Sequence, residues 1–204
     1  MSGAKRTQAE RRADTIGALL DATVDVLVES GYAGLSTRVV AERAGVSQGA
    51  QQHYFPSKLA LVKAAMTRLG DQLFVEFIEF GATHVPDSDE RVVAESLLDR
   101  LWQVHCLPIT PAVFELFNVA RTDDEIAGYA VELTTIGMKS LRRGAAALLP
   151  TYAAADGFDS LLDMAVATIR GTALAARLPG GAPEWSDWPA IRGHLMNCLD
   201  ALIA

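Results

Sequence analysis

Gln48, Gln51 and Gln52, three glutamines within five residues, are the side chains of this sequence best suited to reading another molecule's hydrogen-bonding edge. Each amide offers one acceptor and a two-hydrogen donor, a pattern that can pair in a bidentate way with adenine in the major groove of duplex DNA. Around them stand Thr37, Arg38, Tyr54 and Lys58, whose hydroxyls and cations are of the kind that hold phosphate oxygens, and Ser47, Gly49 and His53, which complete the candidate DNA-binding set. A solvated surface helix would carry similar residues, so composition alone leaves both readings open.

The elements that must position these residues decide more. Ser36 or Thr37 can cap a first helix whose apolar residues Val39, Val40 and Ala44 fall at helical spacing, and Gly45 ends it. Val46 can plug the angle, and Ser47 can cap a second helix over 48–54. Helix, glycine-containing turn and helix within about twenty residues is the pattern of a helix-turn-helix. Before it, residues 7–30 carry Ile16, Leu19, Leu20, Val24, Leu27 and Val28 as an amphipathic stripe, with Gly31 as the expected C-cap and Tyr32 and Leu35 packing below. After it, Pro56 stops the second helix and Ser57 starts another over 57–80. Lys58 lies in its first turn, and Leu69, Leu73, Phe74, Phe77, Ile78 and Phe80 make its far end apolar.

Residues 10 to 61 resemble the tetracycline-repressor (TetR) family of transcriptional regulators. The likeness rests on Ile16, Gly31-Tyr32, Ser36-Thr37, Val40-Ala41, Ala44-Gly45-Val46-Ser47, Gly49, His53-Tyr54-Phe55-Pro56-Ser57-Lys58 and Leu61. It implies a homodimer that inserts Gln48 to His53 into the major groove, with Gln48, Gln51 and Gln52 as base readers and Thr37, Arg38, Tyr54 and Lys58 as phosphate contacts. One departure stands out. Where the family usually has a Leu-Tyr pair, the tyrosine touching a phosphate, this chain has Gln51-Gln52. In this family basic N-terminal arms can also reach toward the minor groove, a role open to Lys5 and Arg6.

Charge is distributed in keeping with this. Of 204 residues, 18 are Lys or Arg and 25 are Asp or Glu, a net charge of -7. Seven of the basic and six of the acidic residues fall within the first 60, so that segment is +1 and the remainder, with eleven basic and nineteen acidic, is -8. An acidic remainder keeps the rest of the molecule off a duplex. Half the residues are apolar, enough for a sizeable core. Cys106 and Cys198 lack metal-ligand spacing and are expected to be buried free thiols. No apolar run is long enough to span a bilayer and no apolar signal region begins the chain, so a soluble cytoplasmic protein without metal or cofactor is expected.

The later sequence reads as helices over 90–106, 110–120, 123–149, 156–178 and 188–203, with loops over 81–89 and 179–189 and no strand-like alternation. Thr110-Pro111 is an N-cap and N1 pair, and Thr122 or Asp123 caps the next helix. The last two helices are apolar round much of their circumference, which calls for a partner. Paired with their copies they would form a four-helix bundle on a two-fold axis, the dimer the family resemblance also implies. Leu101, Trp102, His105, Phe114, Phe117, Asn118, Arg121 and Thr135 mix apolar and polar character as a small-molecule pocket would, and as an ordinary core edge would. His105 beside Cys106 has no second ligand spaced for a metal. No nucleophile motif accompanies His53, His84, His105 and His194, so an enzyme is the weaker reading.

The expected protein is therefore all-α, with a helix-turn-helix DNA-binding domain over 1–56 and a helical regulatory, ligand-binding and dimerisation domain over 57–204. Its expected partners are a palindromic double-stranded operator, a second copy of the chain and a largely apolar small-molecule effector. A constitutive DNA-binding protein without ligand control is the alternative.

Overall fold

The computed structural model describes residues 7–84, 89–177 and 186–204. Among them are ten helices and no strand: α1 (Gln8–Gly34), α2 (Thr37–Ala44), α3 (Gln48–Tyr54), α4 (Lys58–His84), α5 (Glu90–His105), α6 (Thr110–Val119), α7 (Asp124–Leu148), α8 (Pro150–Ala153), α9 (Phe158–Ala175) and α10 (Trp188–Asp200). The all-α expectation holds. The basic arm at Lys5 and Arg6, and most of the loops around 85–88 and 178–185, lie outside the described residues, as do the side chains of Phe77, Ile78, Phe80 and His84. Residues 81–84, expected in a loop, continue α4 as helix.

Packing divides the chain into two compact units, Met1–Asp71 with Pro108–Val131, and Gln72–Leu107 with Glu132–Ala204. Compactness therefore groups α6 and the start of α7 with the helix-turn-helix, a different division from the one drawn at residue 56. In the first unit α1 packs on α2 and on α6, and α2 on α3. Leu19, Val26 and Leu27 of α1, Val40 of α2, and Leu61 and Val62 of α4 are all sealed from solvent. Each such side chain contributes about 1.5 to 3 kcal/mol of burial free energy.

The helix ends explain the angles between these elements. Thr7 and Glu10 form a capping box at the start of α1, Thr7 Oγ1 accepting from Glu10 N–H at 3.2 Å and the Glu10 carboxylate from Thr7 N–H at 2.8 Å. Gly31 interrupts α1 where its end is expected, with a non-helical φ of 65°, and a short helical stretch continues beyond the kink as far as Gly34. Glu115 on α6 lies against this kink. Its carboxylate accepts the Tyr32 N–H at 2.6 Å and occupies the space where a Cβ on residue 31 would sit. Ser36, the first of the two candidate caps, accepts from Val39 N–H at 3.2 Å. At the other end of α2, Gly45 is left-handed, with Val46 N–H bonded to Ala41 O and Gly45 N–H to Glu42 O, a Schellman closure that turns the chain into α3. Ser47 caps α3 through Ala50 N–H at 3.2 Å.

In the second unit α5 packs on α9 and α10 around Val93, Leu97, Leu149, Tyr152, Phe158, Met196 and Leu199. Several sequence boundaries shift. Thr110 is the first residue of α6, after an Ile109 cap that makes no side-chain bond, because Pro111 takes the second helical position. Asp123 is the cap of α7, accepting from Ile126 N–H at 3.0 Å. Left-handed Gly157 delays α9 to Phe158, and α10 stops at Asp200. Cys106 and Cys198 are exposed, contrary to expectation: one follows the end of α5 and the other sits on the outward side of α10.

Candidate nucleic-acid interface

A seven-residue helix at about 100° per residue presents only two rows, and the structure assigns them clearly. Gln48, Gly49, Gln52 and His53 form the outward row, all exposed. Nothing lies within 4 Å of where a Cβ on Gly49 would stand. Ala50, Gln51 and Tyr54 form the inward row. Gln51 is 1% exposed, so its expected part as a base reader is corrected: its side chain cannot reach a groove. It is held inside by donating from Nε2 to Phe55 O at 2.7 Å, and its Oε1 accepts from Gln48 Nε2 at 3.3 Å. The sequence count of three outward amides fails because 48 and 52 share a helical face while 51 falls between them and the core.

Around this row the cations have different fates. Arg38 is exposed and makes no ion pair among the described residues, as a phosphate contact requires. Thr37 is half-buried beside Gln48, whose Nε2 lies 3.4 Å from its Oγ1. Arg43 is spent within the fold, its guanidinium clamped in parallel on the Glu29 carboxylate at 2.8 and 2.5 Å. Lys58 starts α4 as expected, yet its ammonium lies 3.8 Å over the Tyr32 ring and is half-buried. Burial pushes its pKa down, opposed by the nearby Glu115 carboxylate. To hold a phosphate, Lys58 would exchange an aromatic face for an oxygen.

Two basic residues that sequence reasoning did not select lie beside this candidate interface. Arg11, Arg12, Gln8 and Thr15 of α1 border one open groove with His53 and Tyr54. The Arg12 guanidinium carbon is 5.9 Å from the Tyr54 ring centre, and Tyr54 in turn meets His53 edge to face at 5.0 Å. Nothing local in the sequence relates Arg12 to Tyr54, forty-two positions on, and only the packing of α1 under the helix-turn-helix makes them neighbours.

The family model for bacterial regulatory proteins, tetR family, matches residues 19–65, which hold most of α1, both helices of the helix-turn-helix and the first turns of α4. By this match residues 19–65 are similar to the DNA-binding domain of TetR-family regulators. It is 49% identical over 73 residues to the HTH-type transcriptional regulator CymR of Pseudomonas putida, a match covering 36% of each chain. Against an uncharacterised HTH-type transcriptional regulator of Mycobacterium bovis it is 31% identical over 121 residues, 59% of this chain and 60% of the other. The matches thus span about a third and three fifths of the lengths of these relatives. A TetR transcription regulator from Haloarcula marismortui superposes with a TM-score of 0.68 at 20% identity, over 93% of this chain and 98% of that one, which extends the TetR-like fold through the second unit.

Within that TetR-like second unit lies an apolar cavity of about 50 Å³ among α5, α7, α9 and α10, bordered by Leu97, Leu101, Leu141, Phe158, Leu162 and Leu195. Of the eight ligand-contact candidates from sequence only Leu101 lines it. Trp102 instead stacks on Trp188 at 5.0 Å, whose indole N–H donates to Asp99 at 2.6 Å. His105 donates or accepts in two directions, Nδ1 to Leu101 O at 2.8 Å and Nε2 to Arg170 Nε at 3.3 Å; since a carbonyl only accepts, Nδ1 carries the proton. Burial pushes its pKa down. Phe114 and Phe117 pair edge to face on α6 in the first unit, with Asn118 and Arg121 exposed beyond them, and Thr135 is exposed on α7. The candidates were drawn from one stretch of sequence that the fold distributes over two units.

Proposed function

We propose that the protein is a DNA-binding transcriptional regulator that acts in the cytoplasm as a homodimeric repressor of a palindromic operator and is released by a largely apolar small molecule. The observation that carries this reading is the outward row Gln48, Gly49, Gln52 and His53 on a helix-turn-helix capped at both helices and flanked by the exposed Arg38 and by Arg11 and Arg12. Amides in the centre supply base contacts, and the cations to either side supply the salt-sensitive attraction to phosphates. Two-fold symmetry through α9 and α10 would set the two α3 helices one DNA turn apart, about 34 to 36 Å.

The proposed effector would enter at the leucine-lined cavity and act by binding the DNA-incompetent state more tightly than the other. Its leverage equals that difference in affinity and no more. One observation favours the constitutive alternative: a cavity of about 50 Å³ is far below the roughly 300 Å³ at which small-molecule pockets begin. An effector would therefore have to open the helices apart.

The deciding experiment is selection of bound sequences from a randomised duplex library by the full chain, followed by titration of the selected duplex. Enrichment of a palindrome with half-sites about ten base pairs apart is the expected result. Absence of any enriched sequence would sink the regulator reading, and retention of a single enriched half-site by a monomer would sink the dimer. Apolar carboxylic acids and their thioesters titrated into the complex would then separate the ligand-released form from the constitutive one.

A further inference from the structure

The buried glutamine of α3 has a consequence for the outward one. Gln51 has no choice of orientation: Phe55 O accepts from its Nε2 at 2.7 Å, and an amide turned over would set two oxygens against each other. Its Oε1 is then left inside a side chain 1% exposed, where an acceptor without a donor costs its full desolvation. The donor is Gln48 Nε2, at 3.3 Å. The same nitrogen lies 3.4 Å from Thr37 Oγ1, an acceptor for its second hydrogen. Both hydrogens of the Gln48 amide are thereby committed to the protein, and what the side chain offers outward is its carbonyl oxygen alone.

Resting on the reading that α3 enters the major groove, we infer that Gln51 is a positioning residue which, from within the core, makes Gln48 an acceptor-only base reader. A free glutamine recognises adenine through two bonds, accepting from N6 and donating to N7. Gln48 has only the first. The base it meets must present an amino group, adenine N6 or cytosine N4, and the two satisfy it equally. Guanine and thymine, which set O6 and O4 there, place oxygen against oxygen and are rejected. The Leu-Tyr to Gln51-Gln52 departure noted in the sequence thus acquires a role: the amide at position 51 reads nothing itself and changes what its neighbour can read.

The test is site selection from a randomised duplex library with the full-length wild type and with Gln48→Ala, Gln51→Leu and Gln51→Met, each also followed by thermal melting. Gln48→Ala identifies the base pair concerned as the one whose preference it erases. At that pair the wild type is expected to take adenine and cytosine within about threefold of each other and to disfavour guanine and thymine by about tenfold or more. Gln51→Leu and Gln51→Met free one amide hydrogen, so adenine should rise over cytosine by about tenfold, whatever happens to total affinity. A purely structural Gln51 would change affinity and melting temperature and leave that ratio where it was, which would overturn the inference. So would a wild type that already prefers adenine tenfold over cytosine, or one that prefers guanine, a result that needs no variant to fold. A wild type that enriches no sequence strikes the DNA-binding reading itself and is told apart by the flat library.

Discussion

Single side chains in the first unit are constrained from a distance. Gly31 is legible in the sequence as a helix-ending glycine, but its real constraint is the Glu115 carboxylate, eighty-four residues away, lying where a Cβ would go. Gly31→Ala combines a left-handed φ with that clash and should cost about 1 to 3 kcal/mol in urea denaturation, whereas a loss under about 0.5 kcal/mol would show that α6 yields easily. On the DNA-facing row, Gln52→Ala should relax preference at one operator position by about 1 to 3 kcal/mol, while Arg38→Ala should weaken every sequence alike and lower the salt slope by about one. Equal losses on all duplexes for Gln52→Ala would remove it from the base readers. His105 carries a pH signature. Burial holds its folded pKa below the usual value of 6.5, with the Leu101 carbonyl opposing and Arg170 reinforcing the shift. The unfolded chain therefore takes up the proton first as pH falls, so stability is intact above about pH 6.5 and declines below it toward the folded value. His105→Gln should flatten the urea midpoint between pH 7 and 5; an unchanged slope would assign the acid sensitivity elsewhere.

At the level of elements, α2 and α3 are too short to be stable alone, and their ends hold them in place. The Ser36 cap, the Gly45 closure and the Ser47 cap were all readable, since hydroxyls and glycine at helix ends act through their own local backbone. Ser47→Ala should cost about 1 kcal/mol and lower the melting temperature of the first unit; no shift would mean water replaces the hydroxyl without loss. What was not readable is which face of α3 points inward. Its seven residues contain no apolar stripe from which to phase the helix, and a glutamine occupies the buried row. Periodicity locates a core face only when the core face is apolar.

For the molecule as a whole, the second unit leaves an exposed row on α9: Met164 and Leu174 are 46% and 44% exposed, and Ala167 and Gly171 stand between them on the same face. Gly193, Asn197 and Cys198 are likewise exposed on α10. The α9 row, small in the middle and apolar at the ends, fits the proposed isologous dimer. Leu174→Glu should convert a dimer to a monomer in sedimentation velocity at micromolar concentration and abolish binding to a palindrome while sparing a half-site. A wild type that sediments as a monomer would remove the dimer, and an unaffected Leu174→Glu would move the interface to another face.

The sequence by itself determined the helical class, the helix-turn-helix and its TetR resemblance, because caps, glycine turns and apolar periodicity are local features whose physics acts within a few residues. It could not determine what depends on contacts between distant segments. Gln51 turned into the core, Arg12 set against Tyr54, Glu115 fastened to the kink at Gly31 and Lys58 drawn over Tyr32 are all of this kind. The tertiary structure decided them, since burial, desolvation and the hydrogen-bond partners of a side chain are properties of everything packed around it.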